Sequence, residues 1–294
     1  MKMVIAVVIG IVAISTASIF IKLCDAPPLA IAAYRLGLAS LLLSPVALSR
    51  KGYGRILRGR WKLLFLTGLF LGFHFIFWIA SLKYTSVASS VVIVSTHPIF
   101  VALGSSLLLK ERAGTLTILG ILLSTAGAVI IGLSDFTLSP HAAMGDLLAL
   151  AGAIMASAYL IVGRKLRQKM DLISYIFPVY LAGGLVVLLI GIVAGVPFFG
   201  YSSRTYALFL MLAIVPQLIG HSTFNWALKF LSASTVAVLI LGEPIGSTLL
   251  AYWVLGETLS PLKAAGGICI LAGIYAAMRE DIAGTGMIIS RKRG

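Results

Sequence analysis

The sequence predicts an all-α integral membrane protein of ten transmembrane helices arranged as two inverted five-helix repeats. Three observations support that expectation. Apolar residues make up 60% of the 294-residue chain and charged residues 11%, and the mean hydropathy is +1.08, whereas about a quarter of a soluble domain is charged. The charges fall in short tracts between apolar windows of about 20 residues, the length of helix that crosses a hydrocarbon core of about 30 Å. The chain also aligns with itself, without a gap, at an offset of 146 residues. Lys83 falls on Lys229, Ser86 on Ser232, Pro98 on Pro244, Ile99 on Ile245, Glu111 on Glu257, Gly120 on Gly266 and Gly127 on Gly273.

The ten apolar windows have approximate cores at 4–23, 28–49, 62–82, 86–109, 115–133, 144–163, 172–195, 206–228, 233–255 and 262–279. Residues 1–135 form the first repeat, 143–279 the second and 280–294 a flexible tail. The first window follows only Lys2 and is succeeded at once by another, so it reads as a helix rather than a cleaved signal peptide. Pro27-Pro28 suits the start of the second, because a first turn has no use for the donor that proline lacks. Pro98, Pro178, Pro216 and Pro244 fall inside windows, where neighbours or cavity water must satisfy the freed carbonyls. Windows five and ten carry small residues and few polar ones: Gly120, Ser124 and Gly127, then Gly266, Gly267, Ala272 and Gly273. Such faces permit close helix contact and mark packing elements.

Charge sets the expected orientation. With the N-terminus cytoplasmic, 18 of the 23 Lys and Arg lie in inner tracts and at the ends, and only Lys22, Lys83, Arg204 and Lys263 lie outside. Arg35 is the remaining one, within a window. This bias predicts that both termini are cytoplasmic, in the inner membrane. Five spans per repeat then turn the second repeat upside down, as in many secondary transporters with a midplane site. The net charge of +14 is dispersed among these tracts rather than gathered into a nucleic-acid-binding face. Membrane lipid is the partner it suits, with Arg291, Lys292 and Arg293 able to touch anionic headgroups. Cys24 and Cys269 have no metal-ligand spacing and read as buried apolar thiols.

Few polar residues lie at mid-depth. Arg35 and Glu243 sit at similar depth, so an ion pair is open to them if their helices adjoin; the alternatives are a structural anchor and a role in the substrate cavity or in proton coupling. Gln217, His221 and Asn225 recur at i, i+4 and i+8, a polar stripe that faces either a wet cavity or interhelical hydrogen bonds. His74 and His97 are single mid-depth histidines, and no spacing supports a metal site. Phe70, Phe73, Phe77, Trp78, Tyr159 and Tyr180 are among many rings available for packing or for an apolar cavity wall. There is no GxSxG elbow, no HExxH and no Walker-type loop, so neither an enzyme activity nor a cofactor is expected. Without a nucleotide-binding loop, transport has to use a gradient.

The segments KYTSVASS (83–90), THPIFVALGSSLLLKE (96–111), LGILLSTAGAVIIG (119–132), GDLLALAGAIMASAYLIVGRKL (145–166), LGEPIGSTLLAYWVLGETLS (241–260) and GGICILAGI (266–274), with Arg35 near the entrance of the second window, resemble the EamA type of drug/metabolite transporter. The resemblance covers almost all of both halves. It implies ten helices, alternating access, and a central cavity bounded by helices 1 to 4 and 6 to 9, with 5 and 10 to the side. It also implies structural roles for Pro98, Pro244, Glu111 and Glu257. Two further implications are a small-molecule metabolite as substrate, such as an amino acid, and outward transport. Efflux of cationic drugs and an integral membrane enzyme are the alternatives. A second copy of the chain is a further candidate partner.

Overall fold

The computed structural model describes residues 2–50, 54, 58–81, 84, 90, 93–133, 142–256 and 260–291, and Lys83 and Glu257 lie outside them. These residues form an all-α, multi-pass membrane bundle. The helices are α1 (Lys2–Leu23), α2 (Pro28–Leu48), α3 (Trp61–Ser81), α4 (His97–Leu108), α5 (Thr115–Leu133), α6 (Ala142–Arg167) and α7 (Leu172–Val193). They are followed by α8 (Ser203–Ala227), α9 (Ala233–Ile240), α10 (Glu243–Leu255) and α11 (Pro261–Arg291). Among the described residues, eight helical stretches are long and apolar enough to cross a membrane, α9 and α10 together counting as one. The apolar helices at His97–Leu108 and Thr115–Ile131 are shorter. The last helix runs on to Arg291, so most of the tail expected to be flexible continues α11.

At two of the prolines that fall inside windows the helix is loosened into a turn and begins again. Pro98 lies in the first turn of α4, after a turn at Ser95 and Thr96, and Pro244 lies in the first turn of α10, after a turn at Leu241 and Gly242. Proline has no N–H for the carbonyl four residues back and its ring crowds that carbonyl, so the chain breaks there. The carbonyl that Pro98 leaves without its helical donor is that of Val94, and the His97 ring takes it, with Nδ1 3.0 Å from the oxygen. Pro216 acts differently: it sits inside a π-helical stretch of α8, Ala213–His221, where the wider turn accommodates it.

Backbones approach closely through glycine, as expected where apolar collapse gives no net drive between helices in lipid. α5 packs on α11. A Cβ on Gly120 would lie 2.6 Å from the Gly273 carbonyl oxygen, and one on Gly127 2.5 Å from that of Gly266. The small faces of these two helices are therefore turned toward each other. α2 meets α7 at Gly37 and Gly184, and α3 meets α7 at Gly68 and Gly183. The pairings also follow the sequence offset. α5 is the counterpart of α11 and α2 of α7, while the contact of α1 with α8 is matched by that of α6 with α3, and α1 with α10 by α6 with α4.

Candidate functional site

The helices bring one buried cation to the middle of the bundle. Arg35 of α2 is 1% exposed. Its Nε donates to Gln217 Oε1 of the π-helical stretch at 2.8 Å, and its guanidinium carbon lies 4.2 Å from the centre of the Phe75 ring of α3. On another side of that ring stands His221, edge to face at 5.6 Å between centroids. Among the described residues, Arg35 Nη1 and Gln217 Nε2 are buried without a hydrogen-bond partner. Two of the residues predicted from sequence are thus in direct contact, joined to a third through Phe75, which sequence reasoning passed over.

Glu243 is not the contact partner of Arg35. The two charges influence each other electrostatically, yet no ion pair joins them among the described residues. Glu243 is half-buried in the first turn of α10, where the helix dipole favours a negative charge. α1 holds this turn from the opposite side: Ser15 Oγ lies 3.3 Å from the Glu243 carbonyl oxygen and Ser247 Oγ donates to the Ser15 carbonyl at 3.2 Å. His74 and His97 are buried and tied to backbone, His74 through Nδ1 to the Gly152 carbonyl at 3.0 Å. The His74 ring also lies parallel to Trp78, 6.1 Å away. Among the described residues no group of three His, Cys, Asp or Glu could hold a metal ion.

Asn225 belongs to a second polar layer, eight residues beyond Gln217 on the same helix. The two layers are joined at the Gln217 carbonyl, to which Ser222 Oγ donates at 3.3 Å and from which Tyr180 OH lies 3.5 Å. Tyr159 OH donates to its Oδ1 at 2.7 Å and its Nδ2 donates to Tyr180 OH at 3.2 Å. Tyr180 OH also lies 3.1 Å from Ser222 Oγ. Arg167, counted in the sequence among the loop charges, is 1% exposed. It donates from Nε to the Asn225 carbonyl at 2.8 Å and from Nη1 to the Met170 carbonyl. Ser222 and Arg167 had no sequence signal that separated them from packing or topology residues. Glu111 accepts from Arg164 Nε at 2.8 Å, and Arg164 Nη1 reaches the Leu228 carbonyl at 2.7 Å, fastening the ends of α4, α6 and α8 together. Pro98 and Pro244 set the two helix breaks, and Glu257 lies outside the described residues.

The chain is similar to proteins named as transporters. One uncharacterized transporter of Archaeoglobus fulgidus is 29% identical over 269 residues, which is 87% of this chain and 90% of that protein. A second from the same organism is 26% identical, covering 94% and 96% respectively. The uncharacterized transporter YdfC of Bacillus subtilis is 27% identical over 72% of this chain and 69% of its own length. A solved crystal structure with 23% sequence identity superposes with a TM-score of 0.78, covering 93% of this chain and 98% of that one, a likeness of fold. The sequence profile of the EamA-like transporter family matches residues 1–133 and 143–279, nearly the whole molecule, and the chain therefore belongs to that family of membrane transporters.

Proposed function

We propose that this transporter carries small zwitterionic or amphipathic metabolites such as amino acids outward across the cytoplasmic (inner) membrane, by alternating access between two inverted five-helix repeats. Both termini lie on the cytoplasmic side in this reading, with α4 and α5 completing ten spans. The observation that carries it is the matched set of helix pairings under the 146-residue offset, surrounding a cluster in which Arg35, Gln217, Phe75 and His221 meet. An inverted repeat offers two exchangeable arrangements of the same contacts, the basis of rocking motion about a midplane site. In this reading Arg35, Gln217 and His221 touch substrate, Glu243 serves coupling, His74 and His97 line the wall, and Asn225 holds the layer beneath. One basic side chain with aromatic walls suits a zwitterion better than a phosphorylated sugar, which calls for several cations.

Purified protein in liposomes is expected to show saturable amino-acid flux stimulated by counterflow. Currents of channel size, or a chemically altered product, would overturn the reading in favour of a channel or an enzyme. Flux restricted to quaternary ammonium compounds and lost in Glu243→Gln would replace it with cation efflux. Cysteines placed at Ser202 and Gln168 test the topology, the first being expected to react with an impermeant reagent from outside and the second only from within.

A further inference from the structure

We infer that the buried donors Arg35 Nη1 and Gln217 Nε2 form a seat for the substrate's carboxylate, and that Gln217 acts there as a second donor rather than as a spacer. The inference rests on the transport reading of this cluster and names the chemical group it recognises.

The Gln217 amide is oriented by its neighbour. Arg35 Nε donates to Oε1 at 2.8 Å, and because a guanidinium only donates, the oxygen must face it and the NH2 group must point elsewhere. Among the described residues that NH2 group meets no acceptor, and neither does Arg35 Nη1. Both residues are almost wholly buried, Arg35 at 1% and Gln217 at 0% exposed. Among the described residues, this positive charge in the interior meets an amide oxygen and an aromatic face and has no anion in ion-pair contact. Phe75 covers the guanidinium, its ring centre 4.2 Å from Cζ. One unpartnered donor on each of two hydrogen-bonded side chains offers a carboxylate two N–H groups, one of them carrying the positive charge.

Water could satisfy the hydrogens but not the charge. Glu243 is the protein's own rival for the position, since Arg35 influences it electrostatically without touching it. The pair is closed to solvent in this conformation, so the anion reaches it in a conformation in which the Gln217 turn has shifted. That turn belongs to the π-helical stretch, Ala213–His221, a type of local widening frequent at functional sites.

Gln217→Glu tests the inference because it keeps the oxygen that Arg35 bonds, replaces the free donor with an acceptor and supplies the missing negative charge. The variant is expected to fold with thermal stability equal to or above that of the native protein, and to lose affinity for carboxylates by about 10- to 100-fold, the scale of a charge-assisted hydrogen bond. The second arm uses the native protein and a panel of amino acids, their primary amides and the corresponding deaminated acids, read by thermal shift. Protection by the acids and amino acids, with none from the amides, is the expected result. Equal protection by amides, no protection by any carboxylate, or full carboxylate affinity in a folded Gln217→Glu protein would overturn the carboxylate seat. Protection abolished by Gln217→Glu in a protein that shows no flux would retain the seat and reject the transport reading. Flux of cations alone would do the reverse.

Discussion

Replacing Asn225 by Leu tests the polar layer beneath the central arginine. Leucine has the heavy-atom count and branch point of asparagine but no polar atoms, so the change removes the acceptor of Tyr159 OH, now at 2.7 Å, and the donor to Tyr180 OH at 3.2 Å. Tyr180 keeps Ser222 as a partner. Tyr159, 3% exposed, loses the acceptor on which its hydroxyl is aimed. An orphaned buried hydroxyl costs about 1–3 kcal/mol, whereas hydrogen bonds between membrane helices average about 0.6 kcal/mol in double-mutant cycles. The loss expected for Asn225→Leu is therefore about 2 kcal/mol. Tyr159→Phe removes the hydroxyl that would be stranded, and deleting both partners of a buried pair costs less than deleting one. The double variant is expected to be more stable than the sum of the single losses predicts by about 1 kcal/mol. Equilibrium unfolding in mixed detergent micelles, followed by tryptophan fluorescence on all four proteins, measures that coupling. Additivity within about 0.3 kcal/mol would refute the pairing, because independent sites add to that precision.

Gly127→Val is expected to cost more than about 3 kcal/mol and to deplete folded protein, since even a Cβ there would lie 2.5 Å from the Gly266 carbonyl oxygen. Gly267→Ala, with its nearest neighbour 3.9 Å away, is the control that should change stability by under about 0.5 kcal/mol in the same unfolding assay. Glu243→Gln is expected to impair proton-coupled flux, measured in liposomes with an imposed pH gradient, more than His97→Gln does; an unchanged pH profile would leave Glu243 a structural residue. At the start of α7, burial pushes the Asp171 carboxyl up, but hydrogen bonds from Ser174 and the nearby Arg50 charge outweigh it and hold the group below the ordinary aspartate range. That contribution is fully present above the ordinary aspartate value and lost as pH falls through the lowered one. Asp171→Asn, which keeps a cap without the charge, should flatten the acid limb of a stability profile measured by thermal unfolding.

Hydropathy and the internal offset made the helical class and the membrane-length stretches readable, because twenty apolar residues have few other uses. The small faces of α5 and α11 were readable for the same reason, as glycine repeated on one face has a packing consequence whatever its partner. What the sequence left hidden depends on rotation about helix axes and on backbone breaks. Arg35 and Glu243 share a depth, yet depth does not say which side chain an arginine meets, and Arg35 meets Gln217. The regular spacing of Gln217, His221 and Asn225 presumes a continuous α-helix, while the chain changes to a wider turn across Pro216. Phe75 is one of several phenylalanines on α3, and only its place under Arg35 distinguishes it. Arg167 carries the same charge as its exposed neighbours, and its burial follows from the bend between α6 and α7 rather than from local composition.

The two helix breaks differ in what fills the gap that proline opens. At the first, His97 Nδ1 lies 3.0 Å from the Val94 carbonyl oxygen and donates the hydrogen that this carbonyl needs, as the ring can do whether neutral or charged. At the second, the residue in His97's place is Glu243, and the carbonyl in Val94's place is that of Ile240. A carboxylate has no hydrogen to give. A carboxylic acid has one. The corresponding bends therefore carry different side chains, an imidazole held to the backbone in one half of the molecule and a carboxyl group in the other.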